Sequence, residues 1–314
     1  MSTRLASPAD DGLGGDVHYR RGTLADMRAA NAVSESAFDD LARRNGWSDD
    51  EPIDEAGLER EFEAQRTLYE HLTETAEQFW VAELGGEIVG MARSTLRDGL
   101  RQLTELFVAP DAQSTGIGAE LLRLTFPIDG ANNRCILATP DLPALAMYLK
   151  TGVSIRFPNY GFKRAPEPIS IPTDLSFEQV TVGPDVLEAL GRIDDDVLGH
   201  RREVDHQWLL SDRKGFLYRR NGDVVGYGYT GEKNGPFALL DPADFPAVLA
   251  HAESLSAAEG RDSFSVVVPM VNESAVRYLL GRGFRLDPFF SYLMSDSPFG
   301  RFACYIETTP TFFL

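Results

Sequence analysis

From Leu24 to Arg44, the apolar residues Leu24, Met27, Ala30, Phe38 and Leu41 recur at the spacing of one helix face. A second stripe (Leu58, Phe62, Leu68, Tyr69, Leu72) follows Pro52 and predicts a helix over about Asp54 to Gln78. A short strand, Val17 to Thr23, precedes both. The period then shortens to that of strands. Phe79–Leu84, Glu87–Leu96 and Leu100–Val108 read as three of them, the first two joined by a Gly85-Gly86 hairpin turn, so antiparallel pairing is expected. Beyond lie a loop (Pro110 to Thr115), a helix (Gly116 to Phe126), a strand (Arg134 to Thr139) and a helix (Leu142 to Lys150) that Gly152 ends.

Pro166, Pro168 and Pro172 favour an extended connector over 166–174, which divides the chain into halves 17–165 and 175–314 behind a flexible tail, 1–16. The total of 314 residues fits two ordinary domains. The halves are related. Val81 to Arg93 (VAELGGEIVGMAR) aligns without gaps to Leu217 to Tyr229 (LYRRNGDVVGYGY), and Asp141-x-x-Ala144 with Gly152 corresponds to Asn272-x-x-Ala275 with Gly283.

Charge narrows the partners. With 30 Lys plus Arg against 48 Asp plus Glu, the net charge of −18 argues against nucleic acid and anionic membrane surfaces. No segment approaches the roughly 18 apolar residues of a membrane span, and the first residues lack the apolar core of a secretory signal. Cys135 and Cys304, the only cysteines, lie in separate halves, which disfavours a disulfide framework and makes a reducing cytoplasm the expected location.

The segment Leu103 to Leu122 (LTELFVAPDAQSTGIGAELL) carries the chemistry. Glycines at a strand-to-helix junction let backbone approach a ligand, and the first helical N–H groups with the helix dipole favour an anion, naturally a phosphate or pyrophosphate. The Gly-Lys-Ser/Thr ending of a Walker loop is missing, and Leu121 stands where a dinucleotide fingerprint has its third glycine. What the segment resembles is motif A of the GNAT acyltransferase superfamily, through Val108, Pro110, Gln113, Gly116 and Gly118. The family's next motif is matched by Asp141, Ala144, Tyr148 and Gly152, with Asp for the usual Asn and Val153 for Phe.

That resemblance implies an α+β fold, a mixed, mostly antiparallel sheet flanked by helices, in two tandem GNAT-like acyl-CoA acyltransferase domains. It implies acetyl-CoA, or another acyl-CoA, as donor. The resemblance places the acyl-CoA in a gap between two splayed strands, where backbone groups of Leu106, Phe107 and Val108 would meet the pantetheine arm. Amides from Gln113 through Ser114, Thr115, Gly116, Ile117 and Gly118 to Ala119 would cradle the pyrophosphate, and Asp141 falls among the cofactor-binding positions. The resemblance makes Tyr148 the acid that protonates the departing thiolate, with the Val108 N–H as oxyanion donor. Glu105 shares a strand face with Leu103 and Phe107, so its carboxylate lies on an otherwise apolar face and is the candidate base, with water as the alternative. Arg123, one turn into the helix, is weighed as an added positive charge and as an ordinary solvated arginine.

The second half keeps the frame and loses the chemistry. Leu279 holds the tyrosine position, and Gly235 to Pro246 replaces motif A, with Pro242 and Pro246 unable to donate amides. His200, Asp205 and His206 match no common metal spacing, so no metal is expected. The expected activity is acetyl-CoA-dependent N-acetyl transfer to a primary amine of a small molecule or peptide by direct attack in a ternary complex. A noncatalytic acyl-CoA sensor or scaffold is the rival. The amine acceptor is unidentified, and a homodimer is left open because two fused copies can satisfy an interface that single copies form by pairing.

Overall fold

A computed structural model describes residues 16–47 and 55–314, so the tail expected over 1–16 lies, Asp16 apart, outside the described residues. Two runs of elements follow one another in the same order. The first is β1 (His18–Arg21), α1 (Met27–Asn45), α2 (Glu55–Glu74), β2 (Gln78–Leu84), β3 (Glu87–Arg97), β4 (Leu100–Val108), α3 (Ile117–Thr125), β5 (Asn133–Ala138), α4 (Leu142–Leu149) and β6 (Ser154–Arg164). The second is β7 (Ser176–Val180), α5 (Pro184–Val197), α6 (Glu203–Asp212), β8 (Lys214–Arg220), β9 (Asp223–Thr230), β10 (Phe237–Leu239), α7 (Phe245–Ala258), β11 (Phe264–Pro269), α8 (Glu273–Gly281) and β12 (Arg285–Ser295). A last short strand, β13 (Tyr305–Ile306), has no counterpart. The protein is α+β, with predominantly antiparallel sheets flanked by helices.

The equivalent hairpins share their turn chemistry. Gly85 and Gly86 (φ 62° and 90°) join β2 to β3, and Asn221 and Gly222 (φ 52° and 93°) join β8 to β9. Two consecutive left-handed residues make a tight turn whose twist suits a hairpin, which is why Gly-Gly and Asn-Gly stand there.

By packing, the described residues form two compact units: one holds those up to Thr73, Gln78–Ala92 and Leu106–Thr125, and the other holds Glu74–Glu77, Arg93–Glu105 and Phe126–Leu314. In the first, β1 pairs antiparallel with β2, and α3 packs Ile117 and Leu121 onto Ala82, Ala92 and Ala112. Gly90 lets the helix come close, since a Cβ there would lie 3.0 Å from both Ile117 and Leu121. Leu24, expected on the apolar face of the first helix, instead lies exposed in a 3-10 turn before α1.

In the second unit, β4 runs parallel to β5 from Leu100↔Asn133 to Leu103↔Ile136, where the pairing ends. Strand β5 continues antiparallel with β12, β12 with β6, and β6 with β11, giving the order β4-β5-β12-β6-β11. The last strand of each copy is thus bonded to the fifth strand of the other. Phe162, from β6 of the first copy, is wholly buried among Phe237, Phe245, Phe264 and Val266 of the second. Arg134 of β5 grips Asp296, just past β12, with two hydrogen bonds of 2.8 Å. The other sheet has the order β13-β10-β9-β8-β7. Cys135 and Cys304 are both free and buried. Among the described residues no helix is long and apolar enough to cross a membrane.

Glu307, one residue beyond β13, is buried with no hydrogen-bond partner on either carboxyl oxygen. Desolvation lifts its pKa from the ordinary 4.5 to about 8, against the attraction of Arg202. In the unfolded chain the group ionises near its ordinary value, so the fold retains a proton that the unfolded chain releases. Stability is therefore lost progressively as pH rises from about 4.5 to about 8. Glu307→Gln removes this titration: urea denaturation should show the variant gaining stability over the natural protein at pH 8 and little at pH 4.5, and an equal difference at both pH values would refute the buried-acid assignment.

Candidate active site

Strand β4 ends at Val108 and enters a 3-10 turn over Pro110–Ala112, after which the chain must swing into α3. It does so through two left-handed residues, Ser114 (φ 66°) and Gly116 (φ 92°). For Gly116 the constraint is conformational, since a Cβ there would meet nothing within 4 Å. Side chains brace the bend. Gln113 Nε2 donates to the Val108 carbonyl at 3.1 Å, and Thr115 Oγ1 donates to the Ala112 carbonyl at 2.7 Å.

Ile117 is buried and anchors the start of α3, whereas Ser114, Thr115, Gly116 and Ala119 are exposed and Gly118 is half-buried. First-turn amides have no carbonyl four residues back to bond, an arrangement that suits an anion. Arg123 contributes little to it. Its guanidinium is exposed and held by Glu120 through bonds of 2.8 and 2.6 Å, so the positive potential is that of backbone. Leu106, Phe107 and Val108, which lead into this loop, are half-buried.

Glu105 is buried, and Arg93 Nη1 donates to its Oε2 at 2.6 Å with both side chains almost fully enclosed. The carboxylate predicted on an apolar face is therefore half of an interior ion pair. Arg93 is the residue that sequence reasoning missed. The available signal was an arginine closing the apolar run Ile88 to Ala92, across a hairpin from a glutamate in another apolar run.

Tyr148 lies on the buried face of α4. Burial pushes its phenol far above its ordinary value, and the charge of Asp141 adds to the shift, so the hydroxyl stays protonated through the neutral range. Asp141 caps the same helix, its Oδ2 accepting from the Ala144 N–H at 3.1 Å. Asn272 caps α8 in the same way, accepting from the Ala275 N–H at 3.1 Å. Leu279, fully buried, stands where the first copy has Tyr148.

The second copy differs most at the loop. Its 3-10 turn, Pro242–Asp244, runs directly into α7 at Phe245. No equivalent of Gln113–Gly116 intervenes, Phe245 and Val248 are buried, and Pro246 has no amide to offer. His206 accepts or donates at Asp194 and Tyr229, each at 2.8 Å, and Asp205 accepts from Arg97 at 2.7 Å. These side chains are thus committed to one another and to Arg97.

Residues 42–153 match the model of the acetyltransferase (GNAT) family. In fold, the chain is similar to a putative acetyltransferase from Pyrococcus horikoshii (TM-score 0.71, 16% identity, covering 96% of this chain and 97% of that one). It is similar also to a GCN5-related N-acetyltransferase from Sphaerobacter thermophilus (TM-score 0.58, 14% identity, 89% and 95% covered). A tandem GNAT protein from the clavulanic acid biosynthesis pathway shares the fold at a TM-score of 0.53, with 14% identity and 90% and 99% covered. No curated protein matches the sequence.

The ion pair yields a prediction on stability. Arg93→Leu leaves the Glu105 carboxylate buried without that partner and should cost about 3–5 kcal/mol in denaturant unfolding, whereas adding Glu105→Leu should recover most of the loss. Additive losses in the double variant would show that the two side chains are not coupled.

Proposed function

We propose, from the match of residues 42–153 to the model of the acetyltransferase (GNAT) family, that this protein transfers an acetyl group from acetyl-CoA to a primary amine of a small molecule or peptide. The observation that carries the reading is the open bend at Ser114 and Gly116, where exposed backbone ahead of α3 presents amides to an anion. The residues present fit such a donor. Amides from Gln113 to Ala119 hold the pyrophosphate, and backbone of Leu106, Phe107 and Val108 aligns the arm. The net charge of −18 is no obstacle, because the local potential comes from aligned peptide dipoles.

Bound acetyl-CoA supplies an activated acyl carbon as a thioester. The amine lone pair attacks that carbon within the ternary complex, the C–S bond breaks, and Tyr148 Oη gives its proton to the sulfur. The Val108 N–H donates to the carbonyl oxygen as negative charge gathers there. The amine proton leaves to Glu105 or to water. Asp141 fixes the first turn of α4 and so the helix that presents Tyr148. Arg44 pairs with Asp40 on α1, and Arg28 of α1 pairs with Glu59 of α2.

Calorimetric titration with acetyl-CoA, followed by thiol release over an amine panel, tests the proposal: one site per chain and amine-dependent release are expected. Binding with no release for any amine would instead make the protein an acyl-CoA sensor. Tyr148→Phe should lower kcat by about 10²–10⁴ with acetyl-CoA affinity nearly unchanged, and unchanged turnover would remove Tyr148 from the mechanism. Gly116→Val should do the opposite, weakening acetyl-CoA binding by on the order of tenfold, because a β-branched residue strains at positive φ.

A further inference from the structure

In the first copy, β4 and β5 pair over a short stretch and then separate; their counterparts β10 and β11 lie in different sheets and are not paired with each other. What stands between them is the segment that follows β12. Strand β13 pairs antiparallel with β10 (Phe237↔Ile306, Ala238↔Tyr305), and Glu307 forms an antiparallel bridge with Val267 of β11. The Glu307 N–H donates to the Val267 carbonyl at 3.0 Å. One extended segment thus satisfies backbone groups of two strands that do not reach each other.

The surroundings are built for it. Asn272 accepts from the first turn of α8 through Oδ1 and donates from Nδ2 to the Tyr305 carbonyl at 3.0 Å. Its counterpart Asp141 has no such donor. At the head of β10, Gly235 takes a φ of 87°, and a Cβ there would lie 2.2 Å from the Glu307 carbonyl oxygen, so the segment passes where only glycine fits. Arg213 spans the same point, donating from Nη1 to the Gly235 carbonyl at 2.7 Å and from Nη2 to the Thr309 carbonyl at 2.8 Å. Tyr305, Ile306, Glu307 and Thr308 are wholly buried.

We infer that the gap between β10 and β11 is a binding site for extended backbone whose ligand is the chain's own segment Tyr305–Thr308, held by Asn272, Val267 and Gly235. The site is therefore closed to acyl-CoA. For what the equivalent gap binds in the first copy, the inference rests on the proposed function; for the occupant of the second, it rests on the hydrogen bonds above. It gives a positive reason for one donor per chain, beyond the missing amide cradle.

Hydrogen–deuterium exchange of the full chain, with and without acetyl-CoA, tests this directly. Amides of 305–308 should exchange on the order of a hundredfold or more slower than those of the exposed residues Thr181 and Val182, and acetyl-CoA should leave them unchanged while slowing 113–119. Asn272→Asp keeps the acceptor that caps α8 and removes the donor to Tyr305, so exchange at 305–308 should rise by about tenfold with 113–119 unaffected. Exchange at 305–308 as fast as at Thr181 and Val182, no response to Asn272→Asp, or release of the segment by acetyl-CoA would overturn the inference. Protection at 305–308 with no response at 113–119 to acetyl-CoA would uphold it and instead remove the donor reading.

Discussion

Neither copy in this chain closes its own sheet. The fifth strand of each is bonded to the sixth strand of the other, and the two sixth strands are bonded to each other. Every other feature of the architecture follows from that exchange. Backbone donors and acceptors in a sheet interior must be paired, so removing either copy would strip a full edge from the remaining one and expose Phe162 or its partners to water. This explains why compactness cuts through the first copy: β5, α4 and β6 pack with the second copy, while α3 and the strand segments beneath it form a unit of their own.

With one frame written twice, the second copy shows which parts of the first are specific to chemistry. The hairpin turn, the side-chain cap of the last helix and the positive-φ glycine after it recur in both. The bend at Gln113–Gly116 and the phenol of Tyr148 do not. Where the first copy has an open bend, the second runs a 3-10 turn straight into helix, and where the first has a buried hydroxyl, the second has Leu279. Folding explains the shared set. The unshared set is the one on which the proposed binding and catalysis rest.

Much of this was legible in the residues. Period and turn chemistry placed β2, β3 and β4 to within a residue or so, and Gly-Gly and Asn-Gly marked the matching hairpins. Glycines between a strand and an amphipathic helix marked the bend at Ser114–Gly116. Partner choice was not legible. Alternation states which face of β6 or β12 is buried and says nothing about which strand lies beside it, so the exchange left no local trace. The same limit hid Arg93, whose importance depends on the proximity of Glu105 across a hairpin. It also hid the Tyr305–Thr308 segment, a short polar and aromatic stretch that becomes a strand only because two others leave room for it.

The covalent joining of the copies has an evolutionary consequence. In an assembly of identical chains every substitution appears at both positions, so one site cannot decay while the other is kept. A fused pair is free of that symmetry. On the proposed function, Leu279, the shortened bend and the self-filled gap are features that a homodimer would carry at both sites, whereas here one half can drift toward pure scaffolding under selection for folding alone. The exchanged strands set the limit of that drift, because β12 must go on matching β5 and β6 residue for residue.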